Sequence, residues 1–332
     1  LLVLFWSLSI EWVAIVYVFS SVVALILLYY LLKKKVYSLK GIFSKKSRIM
    51  PSLVKFSLPL FVSDVFAYLL VWTDTLVIGY FMSAVDVGIY NVAAPTAMLV
   101  YVIPTTIKTM FYPVMSERFA TGNYTRFFKR MGDWVLFLSL PVAAFLVLFA
   151  EEFLLLFFGS EFVGGSLVLI IICLAYFVYS LFMTSHIMLY VMKKTKLVLF
   201  NTVLSVVLNI VLNIVMIPKY GIVGAALATA IALMVRALLI FVEVWWFTKV
   251  FPMSLRNILA LFAVLVVSVF AYLVKSSVDS IWLLIISSLV FGGVYLSLLF
   301  LLGYFKREDL FLYDAIAKKL PFNLSFFKRF IS

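Results

Sequence analysis

The chain has 332 residues, of which 66% are hydrophobic and only 12% charged, with a formal net charge of +13. Soluble globular chains run at roughly 45–50% apolar and 25% charged, so a water-soluble enzyme or binding module is excluded. The lone Cys173 and the lone His186 exclude an intrachain disulfide, a cysteine-based metal cluster and a histidine-built triad from this chain.

Apolar runs long enough to span a bilayer recur from end to end. Leu1–Ile10 reads as the end of a helix, and Trp12–Leu32 as the first complete span. Lys33–Met50 is a basic connector, and Ser52–Met82 a Pro-containing span that carries Asp64 and Asp74. A tight turn over Ser83–Gly88 returns the chain into Val87–Ser116, where Pro95, Pro104 and Pro113 predict kinks. Glu117–Asp133 reads as a charged turn, Trp134–Ala150 as the next span, and Glu151, Glu152 and Glu161 as an acidic outer loop. Gly165–Met192 returns to Lys193, Lys194 and Lys196. Leu197–Ile217 and Gly221–Phe247 form a hairpin about Pro218–Tyr220, and Ile258–Val274 pairs with Ile281–Gly303. The tail, Tyr304–Ser332, is basic, with Leu310, Tyr313, Ile316, Ala317 and Leu320 at helical spacing, which suits an anionic membrane surface.

This makes an all-α polytopic membrane protein of about nine transmembrane helices. The basic residues test the count. Seven fall in 33–48, four in 118–130, three in 193–196, then Lys249 with Arg256, and six in the tail. The opposite loops hold only Lys219 and Lys275. The positives are therefore a membrane-orientation signal and not a nucleic-acid surface, and the C-terminus is cytoplasmic. An odd count starting outside, with Leu1 in place of an initiator Met, reads as a piece of a longer protein.

Two stretches carry a family resemblance. The first ends in Asp74-x-Leu76-x-Ile78-Gly79-x-Phe81 and continues as Ser83-x-x-Asp86-Val87-Gly88-Ile89-Tyr90-x-Val92-Ala93. The second is Pro218–Ala232, PKYGIVGAALATAIA. Their order and separation resemble the multidrug/oligosaccharidyl-lipid/polysaccharide exporter superfamily, in its polysaccharide (oligosaccharide-lipid) flippase branch. The resemblance implies a two-lobe exporter fold of which this chain holds helices six to fourteen, with the first lobe mostly missing. Residues 1–32 would then close the first lobe, 33–50 link it, 51–247 form a six-helix second lobe, 248–303 add a hairpin, and 304–332 form a cytoplasmic tail.

Depth in the membrane selects the candidate site residues. An intramembrane carboxylate costs roughly 2.5–3.5 kcal/mol to insert, which makes Asp64, near the midplane, and Asp74, ten residues on, functional candidates. They fall about 80° apart around the helix and could border one cavity. Arg236 lies midway down its helix, where a guanidinium needs an anion and its fork suits phosphate. Glu243 follows two turns later. Asn201, Ser205, Asn209 and Asn213 share one helix face, either as a polar seam between helices or as hydrogen-bonding groups for sugar hydroxyls. Lys55, Lys108 and His186 fall within two turns of helix ends, where such groups reach the headgroups.

The resemblance implies a transporter rather than an enzyme, with no catalytic residues, resident metal or cofactor. Its expected cargo is a polyprenyl- or dolichyl-linked glycan, moved across the cytoplasmic membrane by alternating access for surface-polysaccharide synthesis. Arg236, Asn201, Asn209 and Asn213 are the substrate candidates, and Asp64 and Asp74 are the candidates for a coupling Na+ or H+. Membrane lipids and glycan-biosynthesis enzymes are the expected partners, and nucleic acid is not. A cation-coupled multidrug exporter of the same superfamily is the near alternative, disfavoured by the added helix pair and basic tail. An intramembrane glycosyl- or acyltransferase is more distant, because the outer turns are short and offer no positioned acid–base pair.

Overall fold

A computed structural model describes residues 10–35 and 50–305; the expected amphipathic tail and most of the basic connector lie outside this range. All regular structure among the described residues is helical. The chain divides into two units, Leu1–Lys55 and Phe56–Ser332. The first contains α1 (Ile10–Lys35), predominantly apolar between Glu11 and its three closing lysines, with Ser20 and Ser21 near its middle.

The second unit takes up most of α2 (Met50–Phe81) and everything after it. Ser83 caps the next helix: its hydroxyl accepts from Asp86 N, and the Asp86 carboxylate accepts from Ser83 N at 3.1 Å. This reciprocal pair fixes the tight return seen in the sequence. α3 (Ala84–Ala97) and α4 (Leu99–Ala120) are bent by 41° at Met98, between Pro95 and Pro104. α5 (Thr125–Leu148) and α6 (Ala150–Phe158) follow, then a single 3-10 turn, α7 (Ser166–Leu181) and α8 (Met183–Val191). α9 (Thr195–Thr248) holds 54 residues and reverses at Gly221, whose φ of 60° lies in the left-handed region. α10 (Asn257–Val274) and α11 (Ile281–Leu301) complete the order.

α9 is thus two antiparallel arms, as the sequence predicts. Hydrogen bonds pair Asn201 with Glu243, Thr202 with Arg236 and Asn209 with Thr229, one register along its length. Close approach of the arms requires Gly224, where a Cβ would meet Met216 O at 2.4 Å. Ala228 and Ala232 continue that small-residue face and are fully buried, which is how helices approach in a solvent that supplies no hydrophobic drive.

Three sequence expectations change. The acidic outer loop is helical, with Glu151 and Glu152 in the first turn of α6 and Glu161 in the 3-10 turn that follows. Gly165–Met192 is broken at Phe182 into α7 and α8. The charged turn shrinks to residues 121–124, because α4 runs on to Ala120 and α5 begins at Thr125. Arg118, Arg126, Lys129 and Arg130 are good helix formers, and they extend the two helices rather than interrupting them. Asp133 therefore lies within α5 and not in a loop.

α7 is central, packed by α9, α5, α3 and α4 around Val168, Leu169, Ile172 and Cys173. α5 has a second apolar face. Leu136, Phe137 and Leu140 pack with Ala260, Ala263 and Val264 of α10 and with Phe291, Tyr295 and Leu299 of α11. Large apolar side chains such as Phe200, Trp246, Leu265, Phe270 and Leu289 point outward. Six described helices are long and apolar enough to cross a membrane, or seven if the bent α3–α4 pair is one span. The chain is a multi-pass membrane protein.

Candidate functional site

α2 buries one stripe of four side chains, Ser63, Leu70, Asp74 and Ile78. Two of the four are polar, so α2 joins the rest of its unit largely through hydrogen bonds. Ser63 Oγ meets Thr202 Oγ1 at 2.8 Å. Asp74 is the larger anchor. It is 3% exposed and receives donors from α3 and from both arms of α9. Asn213 Nδ2 donates to Oδ1 at 2.6 Å and Asn209 Nδ2 at 3.1 Å. Tyr90 Oη from α3 and Thr229 Oγ1 from the second arm of α9 donate to Oδ2, each at 2.5 Å. All four donors are neutral, and no lysine or arginine approaches Asp74 within 4 Å among the described residues. A cavity of about 50 Å³ opens beside it, bordered by Tyr90, Asn91, Tyr176 and Thr229. That is room for a water molecule or a small ion. Asn213 Oδ1, on the residue that donates to Asp74, is buried without a hydrogen-bond partner.

Arg236, on the second arm, is 8% exposed and presents the reverse case. Its NH2 donates to Thr202 Oγ1 at 2.8 Å, its Cζ stands 5.6 Å from the Tyr179 ring centroid, and its Nε is buried and unbonded. No carboxylate among the described residues pairs with it. Glu243 instead accepts from Asn201 Nδ2 at 2.8 Å. Lys108, His186, Tyr101, Tyr176 and Tyr190 lie within electrostatic range of Arg236. Lys108 Nζ lies 4.5 Å over the ring of Tyr190, and the His186 ring stands 5.0 Å from the same tyrosine. His186 is buried with both nitrogens unpartnered, as are the Thr184 and Ser185 hydroxyls of α8. It is enclosed by protein, because α8 is almost wholly buried.

The sequence candidates therefore divide into two groups. Asp74, Asn209 and Asn213 come together, with Tyr90 and Thr229, which the sequence did not single out. Arg236 and Asn201 lie further along the same arms. The three asparagines are fully buried and bond to carboxylates of this chain, so they form the seam between helices. Asp64 follows Ser63 by one residue, about 100° around the helix, and is exposed outside the stripe, within electrostatic range of Lys108 and Tyr190. It does not share the pocket beside Asp74.

Asp133 is the buried acid that sequence reading missed. It is 1% exposed near the start of α5 and receives Ser254 N and Oγ at 2.8 Å, Asn257 Nδ2 at 3.0 Å and Arg256 NH2 at 3.2 Å. Arg130 stands 4.0 Å away. Arg256 NH1 also donates to Tyr304 O, and Tyr304 Oη donates to Asp133 O, so the clasp joins α5 to the start of α10 and the end of α11. At the other end of α10, Lys275 pairs with Glu152 at 3.4 Å, which accounts for one of the two cations on the sparsely charged side. The Arg130-x-Gly132-Asp133 pattern ahead of a long apolar run was the available signal.

Residues 1–167 match the family described as polysaccharide biosynthesis protein. The chain belongs to that family. It is the polysaccharide branch of the exporter superfamily that the Asp74–Ala93 and Pro218–Ala232 segments resemble. A curated relative, the probable low-salt glycan biosynthesis flippase Agl15 of Haloferax volcanii, is 27% identical over 205 residues, 61% of this chain and 43% of that protein. The chain thus spans less than half the length of that relative. Among solved structures, the lipid II flippase MurJ in an inward closed conformation aligns with a TM-score of 0.63 at 21% identity, covering 83% of this chain and 59% of that one. A superfamily transporter from Pyrococcus furiosus aligns with a TM-score of 0.51 at 17% identity, over 74% and 63% of the two chains. These likenesses show the fold.

Proposed function

We propose that the chain supplies the second lobe of a flippase that carries a polyprenyl- or dolichyl-linked oligosaccharide across the cytoplasmic membrane by alternating access. In this reading α1 closes the first lobe, 51–247 forms the second, and 248–303 adds a hairpin. The two arms of α9 and the apolar stretch of α1 bring the crossings to nine, with the C-terminus cytoplasmic. Kinship to a glycan flippase and a MurJ-like fold support the cargo class.

One observation carries the proposal. Among the described residues, Asp74 is a buried carboxylate with no cation beside it and Arg236 a buried guanidinium with no anion paired to it, both within candidate spans. In a purely structural bundle the two would neutralise each other, because uncompensated buried charge is costly. Their separation reserves each for something that arrives. Asp74, with the hydroxyl oxygens of Tyr90 and Thr229 and the unbonded Asn213 Oδ1, offers oxygen ligands of the kind a hard cation takes, or a carboxylate that accepts a proton. This is the proposed coupling site, and Asn209 and Asn213 serve the carboxylate there rather than the sugar. Arg236 is the proposed contact for the cargo's phosphate, with Lys108 and the exposed Asp64 toward its rim. Asn201 orients the same arm through Glu243. No residue is assigned a bond-making role.

Reconstitution tests this. The full-length protein in vesicles containing a labelled polyprenyl-pyrophosphoryl oligosaccharide should move label across the bilayer. Arg236→Gln should slow that step by about tenfold or more, the scale of one lost charge-assisted hydrogen bond, and Arg236→Lys should recover part of it. Unchanged rates in both variants remove Arg236 from the cargo path. Failure of the wild type to move the lipid, with extrusion of a cationic dye instead, favours the multidrug alternative.

A further inference from the structure

The face that carries the lysine- and arginine-rich loops holds a second cavity, of about 350 Å³, apart from the Asp74 and Arg236 regions. Arg126, Lys129 and Arg130 reach it from the first two turns of α5, and Ser254, Leu255 and Arg256 from the connection between α9 and α10. Asp133 is the one carboxylate in its lining. That acid is already engaged by Ser254, Asn257 and Arg256, and Arg256 is held in place by it and by Tyr304 O. Arg256, with a side chain only 10% exposed, is a fixed wall of the pocket and not a waving surface arginine. Arg126 and Lys129 differ: neither has a hydrogen-bond or ion-pair partner among the described residues.

Two further features indicate what fits. The cavity sits where α5 and α10 both begin, so two helix N-termini add their positive ends at the level where membrane-crossing helices meet the headgroups. From its edge an apolar stripe of Leu255, Ile258 and Phe262, exposed at i, i+3 and i+7, runs down α10 into the span. Cationic pocket and apolar stripe together match a molecule with a phosphate at one end and an acyl chain at the other.

We infer that this pocket binds the phosphate of an anionic phospholipid headgroup, with the acyl chain laid along Leu255, Ile258 and Phe262. Basic pockets between transmembrane helices on the positively charged side are where such headgroups bind, and an arginine fork suits a phosphodiester. Because the cavity abuts the Asp133 clasp, the bound lipid braces the α10–α11 hairpin against α5. This does not depend on what the protein transports.

The test uses the full-length protein in nanodiscs of phosphatidylcholine doped with phosphatidylglycerol, with retained lipid measured by native mass spectrometry. Wild type should retain phosphatidylglycerol in preference to phosphatidylcholine. Arg126→Gln with Lys129→Gln should weaken that retention about thirtyfold, on the scale of roughly one kcal/mol per cation at the surface. Lys193→Gln with Lys196→Gln, exposed on the same face, should leave it unchanged. Leu255→Ser should reduce it several-fold while the charge is intact. Equal loss in both charge pairs means diffuse attraction and overturns the pocket. Competition by inorganic phosphate, with no effect of Leu255→Ser, makes it a soluble-anion site and overturns the lipid. No preference for phosphatidylglycerol in wild type overturns both.

Discussion

Asp74 and Asp133 are two buried aspartates in one lobe, and their surroundings differ in kind. Asp133 lies at the charged end of α5, where Arg256 and Arg130 approach and its oxygens take a backbone amide, a hydroxyl and a carboxamide. It is neutralised within the chain. Asp74 has as many donors, but they are two carboxamides and two hydroxyls, with no guanidinium or ammonium beside them among the described residues. Hydrogen bonds satisfy its lone pairs and leave its charge unmatched. The first arrangement is a clasp that needs nothing from outside. Under the proposed function the second is completed by a cation or a proton, and Arg236, buried on the α9 hairpin, is bonded to Thr202 instead.

The contrast predicts opposite responses. Asp133→Ala should have the largest effect on stability, because it strands Arg256, Ser254 and Asn257; breaking a buried pair from one side costs about 3–5 kcal/mol. Thermal unfolding in detergent should start well below wild type, and any folded fraction should still translocate. Asp74→Asn should do the reverse. Translocation should fall at least about tenfold, while the unfolding midpoint stays level or rises, since a buried unpaired charge has been removed. If both variants lose stability and activity together, the distinction fails.

Two glycine substitutions sharpen it without touching charge. Gly132→Ala would set a Cβ 1.8 Å from Pro252 O beside the clasp, and Gly224→Ala one 2.4 Å from Met216 O in the hairpin that holds Asn209, Asn213 and Thr229. Each should lower stability by about 1–3 kcal/mol. Only Gly224→Ala should also impair transport, because it moves the donors of Asp74. The smallest expected effect is that of Glu243→Gln. Its amide oxygen still accepts from Asn201 Nδ2, so stability should stay within about 1 kcal/mol in a denaturation series.

Much of this was legible in residue order. The order of the apolar helices, the Ser83 turn and the reversal beside Pro218 follow from hydropathy, an N-cap signature and a Gly after Pro. The asparagine face of α9 follows from a four-residue spacing. Other features could not be read from one helix at a time. That Asn209 and Asn213 face Asp74, more than 130 positions away, is a tertiary fact. Tyr90 and Thr229 carry no polar pattern of their own. Asp133 was hidden by its neighbours, since a carboxylate among Arg126, Lys129 and Arg130 reads as a solvated helix end until α10 is folded over it. Asp64 misled for the opposite reason: depth alone ranked it with Asp74, and only the one-residue offset from Ser63 put it outside the buried stripe.

The most direct measurement is the rate of lipid-linked oligosaccharide translocation by the full-length protein in vesicles bearing an imposed sodium gradient or an imposed proton gradient, for wild type and Asp74→Asn side by side. An Asp74 that awaits a cation predicts that wild type responds to one of the two gradients and the variant to neither. Identical gradient dependence in both proteins, or none in either, would contradict it.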